Sequence, residues 1–206
     1  MPDTTAALPA EAVSLLDYWF GDGDDAEIAG RRASLWWGKD VAVDDDIRSR
    51  FGDLHAAAIA GALDHWLAHP RGRLALILLA DQCPRAMFRD DARTWADDER
   101  ALGWSIAGLR CGDDRALRPI ERVFVYMPLE HAEDMLCQHA AVGCFEALAA
   151  SVPEAYRATF DTFTGFARSH RDVIARFGRF PHRNAALGRA NTPAEAAYLA
   201  EPGAGF

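Results

Sequence analysis

The stretch Leu74-Ala75-Leu76-Ile77-Leu78-Leu79-Ala80 is the longest purely apolar run in the chain, and Asp81 follows it directly. A helix that is apolar on every side belongs in the centre of a protein, because none of its faces gains from contact with water. The run is far too short to cross a bilayer, which requires about 20 apolar residues. It therefore predicts a central, buried helix, and Pro84 is expected to end that helix.

Nearly every segment on either side of this run has apolar residues at helical spacing, and none alternates as a strand does. Gly21, Gly61 and Gly178 stand where helices are expected to end. Thr192-Pro193-Ala194-Glu195 is a capping box that starts a short last helix. The pattern predicts an all-α fold of about nine helices, in which neighbours joined by short loops pack as antiparallel pairs.

Three helix boundaries follow from local composition. Residues 22–30 are acidic and contain glycine, so they are expected to form a loop. Asp44 is expected to cap the helix that follows. Pro128 predicts a break, after which one long helix would run from Glu130 to about Ala150.

The composition is that of a soluble globular protein. The 206 residues carry a net charge of −9, half are hydrophobic and about a quarter are charged. We expect a single domain over residues 1–206, with residues 1–8 flexible and residues 201–206 forming a tail. No apolar leader and no Cys-x-x-Cys pair are present, so we expect a cytoplasmic protein with reduced thiols.

The first polar motif is the basic stretch, residues 168–189, which holds six arginines, two histidines and one acidic residue. Gly178 and Pro181 predict a sharp turn within it, after which Arg179, His182, Arg183 and Asn184 could meet an anionic group. In the alternative interpretation the arginines complement the dipole of a helix end and pair with carboxylates of an acidic protein.

The second polar motif, Asp81-Gln82-Cys83-Pro84-Arg85, follows the apolar run. Because an unpaired buried carboxylate is costly, Asp81 must find a partner. One interpretation is a buried Asp81–arginine salt bridge that fixes the chain here. The other is the polar floor of a ligand pocket, to which Asp81, Gln82 and Arg85 contribute.

The third polar motif is His131-Ala132-Glu133-Asp134. A histidine beside carboxylates can act as a general acid or base, with Glu133 or Asp81 orienting the ring of His131. The alternative is a cluster of acids favoured by the dipole of a helix N-terminus. Neither Glu-x-x-His nor His-Glu-x-x-His occurs, so we expect no metal ion. The chain also lacks nucleotide-binding motifs, so we expect no cofactor.

The chain also resembles a bacterial family known only as domain-of-unknown-function 924. The similarity is carried by Leu16-Asp17-Tyr18-Trp19-Phe20-Gly21, by Tyr126-Met127-Pro128-Leu129 and, most closely, by Arg176 to Asn184. The resemblance implies an all-helical, tetratricopeptide-like fold, but it supplies no activity. The chain departs from the family pattern at Ala86 and Ala132, where the pattern has asparagine and serine, so two polar groups are missing beside the candidate site.

These motifs lead to a functional hypothesis. We expect one polar pocket that takes a small anionic molecule, with His131, Glu133 or His182 as the acid/base groups. Its lining would comprise Arg85, His131, Glu133, Arg179, His182, Arg183 and Asn184. The hypothesis requires the three motifs to meet in one cleft.

Two other interpretations remain open. In one, pairs of helices form a groove for a protein or peptide, and the basic stretch is structural. In the other, aromatic-rich helices pack across a homodimer interface. An acidic chain without a wide basic face is not expected to bind nucleic acid, and no segment is expected to enter a membrane.

Overall fold

The computed structural model of the protein describes residues 7–205, and within that range it contains helices and no strand. Nine helices are numbered here in chain order, joined by short turns and single-turn 3₁₀ segments. They are α1 (Ala10–Phe20), α2 (Asp25–Trp37), α3 (Val41–Ile59), α4 (from Pro70 to Met87), α5 (Asp98–Cys111), α6 (Pro119–His131), α7 (Met135–Ser151), α8 (Glu154–Phe177) and α9 (Pro193–Leu199). The all-α prediction is confirmed.

Helix α4 is the central helix that the apolar run predicts, since every residue from Leu74 to Ala80 is fully buried. It is longer than expected. Pro70–Ile77 is α-helical, Leu78–Gln82 is one wide π turn, and Cys83–Met87 is α-helical again. Pro84 does not end the helix, because it lies in the first turn after the π segment, where a missing N–H costs little.

The acidic segment 22–30 is mostly helical rather than a loop, because α2 begins at Asp25. Asp24 caps α2 by accepting a hydrogen bond from the Glu27 amide at 2.8 Å, and the Glu27 carboxylate accepts one from the Asp24 amide at 3.3 Å. The acids that indicated a loop are therefore the helix start signal. Asp44 likewise lies inside α3, which Asp40 caps through the Ala42 amide at 2.8 Å.

The boundary between α6 and α7 also differs from the prediction. Pro128 lies within α6, which continues to His131, and Asp134 then caps α7 by accepting from the Cys137 amide at 2.9 Å. Glu130 and His131 consequently belong to the last turn of α6 and not to the first turn of the next helix. This placement brings His131 against α4.

Most helices pack against their neighbours in the chain. Helix α7 lies along α8 and against α6, and α5 packs between α4 and α6. The largest fully buried aromatic residues of the core are Trp19, Trp66, Tyr126, Phe124, Phe145 and Phe160. A smaller cluster of Val173, Ile174 and Phe180 ties the end of α8 to α9. No helix in the described range is long and apolar enough to cross a membrane.

The predicted end segments fall partly outside the described range. Residues 1–6 and 206 lie beyond it. Residues 203–205, which were expected to form a tail, pack beside the cleft described below, where Gly205 approaches His182.

Candidate functional site

A cleft of about 690 Å³ opens between α2, α4, α6 and α8, with the 3₁₀ turn Pro181–Arg183 at one end. Its lining has an aromatic part and a polar part. The aromatic part comprises Trp19, Trp36, Trp37, Phe145, Phe163 and Phe166, and Trp95 lies beside the polar part. The polar part includes Gln82, Arg85, Glu130, His131, His182 and Arg183. Each of the three polar motifs of the sequence thus contributes to one cleft.

Asp81 and His131 form a buried pair beneath this cleft. The π turn of α4 places the Asp81 carboxylate 2.7 Å from Nδ1 of His131. Gln82 Nε2 donates to the same carboxylate at 2.6 Å. Burial by itself raises the pKa of Asp81, but the charge of Arg85 and the contact with His131 outweigh it and hold that pKa well below its usual range.

His131 is neutral at physiological pH, because burial and then the nearby charge of Arg85 lower the pKa of its ring. With Asp81 ionised, the hydrogen bond between them assigns the proton to Nδ1 of His131. Nε2 then carries a lone pair. No group within residues 7–205 hydrogen-bonds to that Nε2.

Asp98 joins the second motif to the basic stretch. Its carboxylate accepts from Nη2 of Arg85 at 3.1 Å and from Nη1 of Arg183 at 3.2 Å. Nη2 of Arg183 also donates to the His131 carbonyl at 3.1 Å. One ion-pair network therefore connects residues of all three motifs.

Arg183 is held tightly at the end of the cleft. Its guanidinium lies 4.5 Å from the ring centroid of Phe180 and 5.6 Å from that of Trp95. Burial lowers the pKa of Arg183 to about 10, so the group stays charged at neutral pH. Its buried Nε, like the buried Nε1 of Trp19, has no hydrogen-bond partner in the part of the chain that the structure describes.

His182 also lines the cleft, with its ring centroid 6.4 Å from that of Trp95 and 5.7 Å from that of Phe180. Burial, followed by the charge of Arg183, lowers the pKa of His182 to about 3. The ring is therefore neutral at physiological pH.

The structure places four of the predicted site residues outside the lining. Asp81 is one of them, since it lies against His131 beneath the cleft, and the other three bond elsewhere. Arg179 pairs with Glu195 at 2.6 Å, Glu133 pairs with Arg189 at 2.6 Å, and Asn184 donates to Asn191 at 2.7 Å. Gly178, with φ of +69°, ends α8, and Arg179 directly after it bonds to α9. Arg179 and Arg189 thus pair with carboxylates, which is the arrangement in the structural interpretation of the basic stretch.

Sequence reasoning missed several cleft residues. His170 lies 2.8 Å from the Glu130 carboxylate and 2.9 Å from the Phe166 carbonyl, although 40 positions separate it from Glu130. Helical spacing gives no sign of this pairing, because it depends on how α6 packs on α8. His170 does lie within the basic stretch, residues 168–189, so the sequence indicated its region but not its partner. No group of three or more histidine, cysteine or acidic side chains within the described residues is arranged to hold a metal ion.

Comparisons with known proteins agree with this architecture. The model of a bacterial protein family of unknown function, DUF924, matches residues 15–203, so the chain belongs to that family. A solved structure of a protein of unknown function from Agrobacterium tumefaciens, ATU0120, is 38% identical. That similarity covers 93% of this chain and 97% of the other, with a TM-score of 0.78. No curated protein matches the chain.

Proposed function

We propose that this member of the DUF924 family binds a small molecule that combines an anionic group with a flat, apolar body. The cleft volume of about 690 Å³ lies in the usual range for small-molecule sites. The observation that carries the proposal is the charge of the lining. In a chain with a net charge of −9, four basic residues line the cleft and only two acidic ones do.

The four basic residues are Lys39, Arg85, Arg89 and Arg183, and the two acidic ones are Asp90 and Glu130. The carboxylates that balance the buried arginines, Asp81 and Asp98, are absent from the lining. A ligand therefore meets the guanidinium groups before it meets their partners.

The aromatic part of the lining is the evidence that the ligand has a flat, apolar body. Trp37 and Phe166 are 46% and 54% exposed, which is high for residues of this size. Trp36 is buried behind Trp37, and their ring centroids are 5.9 Å apart. A flat ligand lying on these rings would remove apolar surface from water and gain the favourable geometry of aromatic contacts.

The test is a thermal-shift and calorimetric titration with indole-3-acetate, using neutral indole for comparison. We expect indole-3-acetate to raise the melting temperature and indole to bind more weakly. Arg183→Met should weaken binding of the acid at least about tenfold, the loss expected for one charge-assisted contact. Arg179→Met is the matched control, because Arg179 belongs to the same stretch but pairs with Glu195 outside the lining.

Equal affinity of the Arg183→Met and Arg179→Met proteins for indole-3-acetate would contradict the proposed site. Each melting shift is measured against the same variant without ligand, so a loss of stability does not imitate a loss of binding. Absence of binding by a wider panel of aromatic carboxylates would favour the alternative, a tetratricopeptide-like groove for a peptide.

Location and assembly remain predictions. The four cysteines are free thiols, which supports the proposed cytoplasmic location. Light scattering in solution would test the homodimer expected from the aromatic-rich helices.

A further inference from the structure

We propose that His131, positioned by Asp81, is a general base that removes a proton from the molecule bound in the cleft. This inference rests on the proposed function, since it needs a small molecule beside the polar part of the lining. It goes beyond that function because it assigns a chemical step to the site.

The geometry leaves one nitrogen of His131 for the ligand. Nδ1 is occupied by Asp81 at 2.7 Å, and His131 lines the cleft. Asp81 is itself fixed, because Gln82 donates to it at 2.6 Å and Arg85 lies 3.5 Å away. The ring is therefore held in one orientation and one tautomer, with a lone pair on Nε2.

The electrostatics suit proton transfer. Neutral His131 becomes an imidazolium when it takes a proton. Burial and Arg85 disfavour that charge, and the ionised Asp81 beside the ring offsets part of the cost. The negative charge that develops on the ligand would lie near Arg85 and Arg183, both in the lining. The base and the groups that stabilise its product are thus in one network.

His182 is a poorer candidate for this step, although it lines the same cleft. Burial and then the charge of Arg183 lower the pKa of His182 to about 3, which makes its ring a weak base. Glu133, an alternative partner for His131 in the sequence hypothesis, accepts from Arg189 and from the Phe180 amide instead. Asp81 is therefore the positioning residue.

The probe for this chemistry is 5-nitrobenzisoxazole, a flat aromatic molecule whose ring opens when a base removes one proton. The ring C–H bond breaks and the proton goes to Nε2 of His131. The C–H electron pair forms the third bond of a nitrile, and the N–O bond breaks to leave a phenolate. No oxidant, reductant or further reactant is needed, and the coloured phenolate reports the rate.

We expect the wild-type protein to accelerate this elimination and His131→Gln to lose at least about 100-fold of that rate. The matched control is His139→Gln, because His139 is exposed on α7 away from the cleft lining. Asp81→Asn should lower the rate and change its pH profile, since the amide can support the wrong tautomer.

The pH profile separates a base from a merely structural residue. The wild-type rate should rise as His131 deprotonates and reach its plateau at a lower pH than free imidazole requires, whereas His131→Gln should lack this rise. The charged and titratable groups packed around His131, from α4, α5, α6, α8 and the turn after α8, are Asp81, Arg85, Asp98, Glu130, His170 and Arg183. Burial and then Arg85 lower the pKa of His131, while Asp81 and then Asp98 oppose part of that shift.

A wild-type rate in His131→Gln, or no acceleration by the wild type, would overturn the proposal. Indole-3-acetate binding is measured on the same preparations, so failure of the proposed binding function can be distinguished from failure of the proposed base. A protein that binds the acid but does not accelerate the elimination keeps the binding function and loses the base.

Discussion

Arg179 and Arg183 are four positions apart in the basic stretch, but their guanidinium groups lie in different surroundings. The side chain of Arg183 is only 8% exposed and contacts Asp98 and His131 at the cleft. The side chain of Arg179 is 29% exposed and bonds to the capping carboxylate of α9. The sequence marks both as cations near a helix end. Their separation depends on the turns at Gly178 and Pro181, so spacing alone did not distinguish them.

At the scale of single residues, His182 should make stability depend on pH. Its folded pKa of about 3 lies below the usual value, so the unfolded chain binds the extra proton first as pH falls. Stability from this group is therefore complete above about pH 6.5 and is lost progressively toward about pH 3. Urea unfolding should show that the contribution of His182 to the free energy of unfolding is about 2 kcal/mol smaller at about pH 4.5 than at about pH 7.

The comparison for this prediction is His182→Gln, which should lose less stability over the same pH interval because it has no proton to take up. His65→Gln, at an exposed position, should show the same change of unfolding free energy with pH as the wild type. An identical slope in all three proteins would show that His182 does not resist protonation in the folded state.

At the scale of helices, the sequence predicts the regular elements better than their ends. Central α4, the Gly178 terminus of α8 and the capping box of α9 follow from local signals, and the structure has all three. The errors at residues 22–30 and at Pro128 have one cause. An acidic cluster or a proline is compatible with more than one local conformation, and packing against the core selects among them.

Gly178 gives a direct test of a predicted helix end. Its φ of +69° is strained for any residue with a Cβ, while a Cβ built there meets no atom within 4 Å. Gly178→Ala should therefore lower the free energy of unfolding by about 1 kcal/mol through backbone strain alone. Urea titration checks this value.

The control for that substitution is Gly165→Ala, in the same helix. Gly165 is exposed, has helical backbone geometry and also has open space where a Cβ would lie. Alanine should stabilise the helix there by about 0.5–1 kcal/mol. A loss of stability at Gly165, or none at Gly178, would contradict the assignment of strain to the left-handed residue.

At the scale of the whole molecule, the cleft is part of the core. Trp19 and Phe145 belong to the main hydrophobic cluster and also line the cleft. The pairs Asp81–His131 and Glu130–His170 each join two helices. The sequence locates the polar motifs by their composition, although the second motif lies inside α4 and not after its end. It does not show which members reach the cleft, since that depends on packing between distant segments.

The most direct test of the central claim is a crystal structure of the protein grown with indole-3-acetate. The proposed function predicts the carboxylate within hydrogen-bonding distance of Arg183 or Arg85, and the indole ring against Trp37 or Phe166. A carboxylate bound away from both arginines, or an empty cleft at a concentration that raises the melting temperature, would contradict it.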